Sequence, residues 1–127
     1  MMRKRETPGE RALPELCDAC GTAILSGLPL YAYVPDSSAV QAGKEWLDGL
    51  RFLAACCEEH LNALRDQYRR RPFIEEELWA GKISRALDQH PDGLTAEELG
   101  RTTGLMLPDI RSAMAWHNRW MHQETQP

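Results

Sequence analysis

Two short pairs of metal-ligand residues, far apart along the chain, constrain this 127-residue sequence more than any other feature. The first pair is Cys17 and Cys20, in Cys-Asp-Ala-Cys-Gly, and the second is Cys57 and His60, in Cys-Glu-Glu-His. With two residues between ligands, one tight turn or the first turn of a helix can direct both side chains at one ion. Three thiolates and one imidazole make a closed tetrahedral site, so the sequence predicts one structural Zn²⁺ held by these four side chains.

The third ligand is the least determined of the four. Cys56 and Cys57 are adjacent, and an extended chain would direct them to opposite sides, so we expect only one of them to bind. Cys57 has the two-residue spacing to His60 and is the predicted ligand, with Cys56 as the alternative. Two other interpretations stay open: a redox-active Cys-x-x-Cys pair and buried free thiols. A redox pair usually opens a helix, whereas a glycine and strand-like residues follow this one.

The size of the chain also favours a metal. A chain this short buries a modest fraction of its surface, so its core alone gives little stability, and a bound metal ion often stabilises proteins of this size. No apolar run reaches the roughly 20 residues needed to span a bilayer, and no apolar stretch follows the basic N-terminal residues as it would in a signal peptide. We therefore expect a cytoplasmic protein without a membrane partner, in a compartment where thiols stay reduced and bind metals.

Turn signals and hydrophobic periodicity divide the chain into four parts. Residues 1–14 predict a flexible basic arm, residues 15–72 a zinc-binding module, residues 73–122 a helical segment and residues 123–127 a tail.

Within the zinc-binding module, residues 22–34 predict a hairpin, because strand-forming residues flank a turn. Residues 35–48 are rich in turn formers and predict a long loop. Residues 51–56 fit either a further strand or the lead-in to a helix. The apolar residues that follow recur with helical spacing until Pro72 ends the helix.

The helical segment predicts three helices. The first covers residues 74–89 and carries Trp79 on its core side. Thr95 and Glu98 form a capping box that opens a short second helix, and Pro108 suits the first turn of the third.

Each half resembles a known arrangement. A CDACG knuckle, a hairpin and CEEH at a helix start, within residues 15–70, resemble a treble-clef zinc finger. The phrase LTAEELGRTTGLMLPDIRSAMAWHNRW, within residues 75–120, is similar to the winged-helix type of helix-turn-helix in bacterial transcription regulators. The resemblances imply an α+β fold, in which a small zinc-bound treble-clef module of hairpin plus helix precedes a three-helix helix-turn-helix segment. They also imply a DNA-binding regulator whose third helix enters the major groove.

The charge distribution selects the candidate nucleic-acid contacts. The net charge is −4, and residues 73–127 hold five basic and nine acidic side chains. This negative charge repels phosphate and opposes DNA binding by the helical segment. The candidates are the arginines at the end of the zinc-site helix and on the third helix: Arg69, Arg70, Arg71, Arg111 and Arg119.

The last helix supports an alternative function. Trp116 and Trp120 are four residues apart, and both cannot easily be buried there, so an exposed aromatic pair favours a protein partner or a homodimer. The alternative is a zinc-stabilised adaptor that docks through its C-terminal helix. The sequence contains no nucleophile–base pair, phosphate-binding glycine loop or open metal position, so we expect neither an enzyme nor a small-molecule substrate.

Overall fold

The computed structural model describes residues 15–25 and 29–125, with side chains as far as residue 120. The predicted basic arm, residues 1–14, and the end of the predicted tail lie outside the described residues. The described elements, in chain order, are β1 (Leu30–Pro35), a 3₁₀ turn (Glu45–Leu47), β2 (Leu50–Ala55), α1 (Glu58–Arg69), α2 (Glu75–Gln89), α3 (Ala96–Thr103) and α4 (Leu107–Thr125). The predicted α+β class is confirmed. Among the described helices, none combines the length and apolarity required to cross a bilayer.

The chain divides into two compact units. The first unit takes its described residues from Met1–Val34 and Phe52–Arg71, and the second unit from Pro35–Arg51 and Pro72–Pro127. The predicted module, residues 15–72, therefore differs from the first unit by residues 35–51 and by Pro72 at its end. Residues 35–51 belong with the helices, because their polar side chains are bonded to α2.

The first unit is built on a two-stranded sheet of β1 and β2. The Asp36 N–H, just after β1, donates to the Gly49 carbonyl, just before β2, at 2.8 Å, so the strands run antiparallel. One sheet face packs against α1, and the other carries the Phe52 ring, which stacks on Tyr31 and makes a tilted contact with Tyr33. The core of the unit contains Cys17, Val34, Leu53, Ala55, Leu61 and Leu64.

The predicted hairpin over residues 22–34 does not form between the described residues on its two sides, and residues 26–28, where its turn was predicted, lie outside the described residues. Strand β1 pairs with β2, and Ala23 instead forms an antiparallel bridge with Leu16. The reason is the tight turn between Leu16 and Ala23, which folds the chain back on itself and uses their backbone groups locally. The hairpin of the unit is therefore closed by the long connection between β1 and β2.

Three helices form the core of the second unit. Helix α2 packs mainly on α4, and α3 contacts both. The buried residues are Ile83, Ala86, Leu99, Leu105, Ile110 and Ala113. Trp79 packs against them, as predicted.

The helix boundaries follow the predicted signals. Thr95 Oγ1 accepts from the Glu98 N–H at 3.1 Å, and the Glu98 carboxylate accepts from the Thr95 N–H at 2.9 Å, so the predicted capping box is confirmed. Gly104 ends α3 in the left-handed conformation, with φ 79°, which a residue with a Cβ adopts only with strain.

The stretch 35–51 is anchored to α2 by polar contacts. The Ser37 hydroxyl donates to Glu77 Oε1 at 2.6 Å and accepts from the Ile74 N–H at 3.1 Å, which caps a helix that lacks a side-chain cap of its own. Further along α2, the Arg85 guanidinium bonds both carboxylate oxygens of Asp48, at 2.7 and 2.9 Å. These contacts explain why the stretch belongs to the second unit.

Candidate metal centre

The first half of the site is a tight turn that carries Cys17 and Cys20. The Gly21 N–H donates to the Cys17 carbonyl at 2.8 Å, and the Cys17 N–H donates to the Thr22 carbonyl at 2.9 Å. Gly21 has φ 77°, a left-handed conformation that favours glycine. The turn therefore directs both cysteines to one side, as the spacing predicts.

Asp18, which the sequence did not single out, joins this turn to the sheet through two hydrogen bonds. The Asp18 N–H donates to the Ala54 carbonyl at 2.8 Å, and the Ala54 N–H donates to Asp18 Oδ2 at 2.8 Å. Because Ala54 lies two residues before Cys56, this pair of bonds brings the turn beside the start of α1. An aspartate between two cysteines is a weak signal, since it is equally common in an exposed turn.

The second half of the site lies where β2 passes into α1. Cys57 is the N-cap of α1 and is extended, with φ −157°, so its neighbour Cys56 points to the opposite side of the chain. His60 lies in the first turn of the helix, on the side of Cys56. The Cys56 Sγ atom lies 3.3 Å from His60 Nδ1.

The two halves converge into one cluster. Ligand atoms of Cys17, Cys20, Cys56 and His60 all lie within 4.8 Å of one another. Cys20 Sγ lies 3.9 Å from Cys56 Sγ, and Cys17 Sγ lies 3.7 Å from His60 Nδ1. Three sulfurs and one nitrogen in this arrangement could hold one metal ion.

This geometry corrects the predicted third ligand. Cys57 is not part of the cluster, and Cys56, the alternative considered, takes its place. The spacing from Cys57 to His60 was the misleading signal. One helical turn is 3.6 residues, so a residue four positions before His60 can share its side as well as one three positions before. The extended N-cap decides between them.

The thiols of the cluster differ in protonation because of their surroundings. Burial disfavours the Cys17 thiolate, but backbone N–H groups, those of Cys20 and Cys56 foremost, outweigh it and lower the pKa of Cys17 to about 6. Desolvation of the Cys56 sulfur, together with the Cys17 and Cys20 sulfurs beside it, raises the pKa of Cys56 to about 12. The cluster therefore favours one thiolate over several, and a cation at its centre would stabilise the further charges and release their protons.

The predicted nucleic-acid residues are exposed, in two groups. Arg69, Arg70 and Arg71 lie at the end of α1 in the first unit, and Arg111 and Arg119 lie on α4 in the second.

Two of the arginines at the end of α1 have neighbours. Arg69 forms an exposed ion pair with Asp66 at 2.9 Å, and the Arg71 guanidinium lies 4.7 Å from the centre of the Tyr68 ring. Exposed contacts of this kind contribute little to stability.

The two tryptophans predicted to form an aromatic pair on α4 are in contact with each other. The rings of Trp116 and Trp120 are 5.8 Å apart between centroids and tilted by 57°. Trp120 is 45% exposed.

No protein-family model, no curated protein and no solved structure matches this chain. What the described residues define is the kind of protein: an α+β chain with a Cys₃His cluster that could hold one metal ion.

Proposed function

We propose that Cys17, Cys20, Cys56 and His60 hold one structural zinc ion. Tetrahedral zinc, with Zn–S bonds of about 2.3 Å and Zn–N bonds of about 2.0 Å, places two sulfurs about 3.8 Å apart and a sulfur and a nitrogen about 3.5 Å apart. The Cys20 and Cys56 sulfurs lie 3.9 Å apart, His60 Nδ1 lies 3.3 Å from the Cys56 sulfur and 3.7 Å from the Cys17 sulfur, and all the ligand atoms lie within 4.8 Å of one another. The agreement with zinc geometry, together with a thiolate-rich ligand set, supports this identity.

The zinc ion would be structural and not catalytic. Four protein ligands complete a tetrahedral shell, which leaves no position for a substrate water. A turn, a two-stranded sheet and a helix that carries ligands at its start occur in the order of a treble-clef finger, and this order supports that assignment. The ion would join the turn at Cys17 and Cys20 to the β2–α1 junction.

The chain as a whole would be a DNA-binding regulator. The observation that carries this proposal is the connection between α3 and α4, a turn of three residues, 104–106, that begins with a left-handed glycine. Leu99 in α3, Leu105 in the turn and Ile110 in α4 are buried and pack the two helices together. A short glycine turn between two packed helices is the arrangement of a helix-turn-helix, in which the second helix enters the major groove.

The recognition helix would then be α4. Arg111 and Ser112 are exposed near its N-terminal end, where such helices contact base edges, and Arg119 is exposed two turns later. The arginines at the end of α1 would add contacts to phosphates. Residues 73–127 hold nine acidic and five basic side chains, so most of this segment repels phosphate. DNA binding by α4 would therefore depend on its arginines.

The test is binding to a fluorescently labelled, mixed-sequence DNA duplex, followed by anisotropy. We expect binding at about 50 mM salt that weakens steeply by about 200 mM. The double variant Arg111→Gln/Arg119→Gln is compared with Lys44→Gln/Lys82→Gln, which removes the same charge from the same unit. Selective loss in the first variant supports α4 as the DNA-contacting helix. Equal loss in both, or no binding at low salt, contradicts the proposal.

A second candidate, a protein adaptor or homodimer, is favoured by the aromatic pair on α4. Trp116 and Trp120 form a contiguous aromatic surface with Trp120 45% exposed, and tryptophan is the residue type most enriched in binding hot spots. In this case α4 would contact a protein instead of DNA.

A further inference from the structure

The three sulfurs of the metal cluster differ in accessibility. Cys17 is 2% exposed and belongs to the hydrophobic core of the first unit, whereas Cys20 and Cys56 are exposed residues. A small oxidant in solution would therefore meet the two exposed cysteines first.

The two exposed cysteines are also neighbours. Their Sγ atoms lie 3.9 Å apart, although they come from separate parts of the chain. Cys57 lies outside the cluster, on the opposite side of an extended residue, and is poorly placed to intercept the reaction.

We propose that Cys20 and Cys56 form a peroxide-sensitive pair, and that their oxidation to a disulfide releases the metal ion. This inference rests on the proposed zinc site and is independent of DNA binding. The oxidant is hydrogen peroxide or another small hydroperoxide. The modification site is the pair itself.

The chemistry balances in two steps. One thiolate attacks an oxygen of hydrogen peroxide, the O–O bond breaks, and a sulfenic acid and a hydroxide form. The second thiolate then attacks the sulfenic sulfur, the S–O bond breaks, and the oxygen leaves as water after taking a proton. In sum, two thiolates, one peroxide and two protons give one disulfide and two waters. Each sulfur loses one electron, and the peroxide gains both.

Disulfide formation removes half of the ligand set. The two sulfurs must approach from 3.9 Å to the S–S bond length of about 2.05 Å, which excludes an ion from between them. Only Cys17 and His60 would remain, and two ligands hold zinc far more weakly than four.

The oxidised protein would keep one link between the two halves of the site. Cys20 lies in the turn that follows Cys17, and Cys56 lies at the start of α1, so the disulfide joins the same elements that the ion joins. We therefore expect the first unit to stay folded in the oxidised protein, so that reduction of the disulfide restores the metal site.

The experiment uses the full chain, purified reduced. Zinc content is measured first, and stoichiometric hydrogen peroxide is then added in the presence of a chromogenic chelator. Free thiols are alkylated, and disulfides are mapped by mass spectrometry of peptides. We expect one zinc ion released per Cys20–Cys56 disulfide formed, and rebinding after reduction with added Zn²⁺.

The matched control is Cys57→Ser, which removes the nearest thiol outside the cluster and should leave both release and disulfide unchanged. A disulfide that contains Cys17 or Cys57, or zinc that stays bound when the thiols are exposed to peroxide, overturns this inference alone. Purified reduced protein without zinc contradicts the metal site itself and the inference with it.

Discussion

Asp18 and the Ala54 backbone hold the turn that carries Cys17 and Cys20 against the sheet through two bonds of 2.8 Å, because the Asp18 N–H donates to the Ala54 carbonyl and the Ala54 N–H donates to the Asp18 carboxylate. One bond uses the Asp18 side chain, so it can be removed by mutation, while the other is backbone and remains. We expect Asp18→Ala to lower zinc affinity about 10-fold, since it frees the turn to move away from Cys56 and leaves the Ala54 N–H unpaired. Affinity is measured by competition with a chelator of known strength.

The control for this prediction is Asp18→Asn, which keeps an acceptor oxygen in the same place. It should retain most of the affinity. Equal loss in both variants would mean that the charge of Asp18, and not its bond to Ala54, supports the site.

The choice between Cys56 and Cys57 gives a second prediction. Cys56→Ser should abolish stoichiometric zinc binding and destabilise the first unit by about 4 kcal/mol or more, because loss of a structural metal ranks among the largest effects of a single substitution. Cys57→Ser, one residue away, should bind one zinc ion and unfold like the parent protein. Zinc content and thermal unfolding followed by circular dichroism provide the measurement, and the reverse pattern would restore Cys57 as the ligand.

The cap that Ser37 provides to α2 gives a third prediction. Ser37→Ala leaves the Ile74 N–H and the Glu77 carboxylate without this hydroxyl, and should lower the free energy of unfolding by about 1–2 kcal/mol. All four tryptophans belong to the second unit, so urea unfolding followed by tryptophan fluorescence reports on that unit. Ser84→Ala, an exposed serine on α2, should change the midpoint little.

The buried carboxylate of Asp36 gives a prediction about pH. Burial disfavours its charge, but bonds from Ser38 and Arg51 outweigh burial and hold the pKa of Asp36 below its ordinary value. Because the folded pKa lies below the unfolded one, the contribution to stability is complete above about pH 4 and is lost as pH falls through the lowered folded pKa. Urea unfolding at a series of pH values should show this decline, and Asp36→Asn should flatten it.

The tryptophan pair on α4 gives a prediction for the second candidate function. If α4 forms a homodimer, Trp120→Ala should weaken association by about 30-fold or more in sedimentation velocity, since tryptophan truncation at a hot spot costs at least about 2 kcal/mol. Trp46→Ala is the matched control, because Trp46 is also exposed, at 72%, but lies in the 3₁₀ turn. A monomer at all concentrations rules out the homodimer and leaves a heterologous partner to be sought.

Much of this protein could be predicted because the signals are local. The spacing of Cys17 and Cys20 with a following glycine identifies a tight turn, and a capping box at Thr95 and Glu98 identifies a helix start. Each signal acts within a few residues, where backbone geometry and hydrogen bonding leave little choice. The sequence by itself therefore determined the ligand types, the four helices and the α+β class.

Tertiary structure decided three features that no local signal could. It paired β1 with β2 instead of with residues near Ala23, because a strand pairs with whichever backbone groups are left unbonded. It joined residues 35–51 to α2, through side chains of Ser37 and Asp48 that meet their partners only in the folded chain. It also brought Cys56 and not Cys57 into the cluster, because convergence of side chains depends on the direction of each one in space, and spacing along the chain allows both.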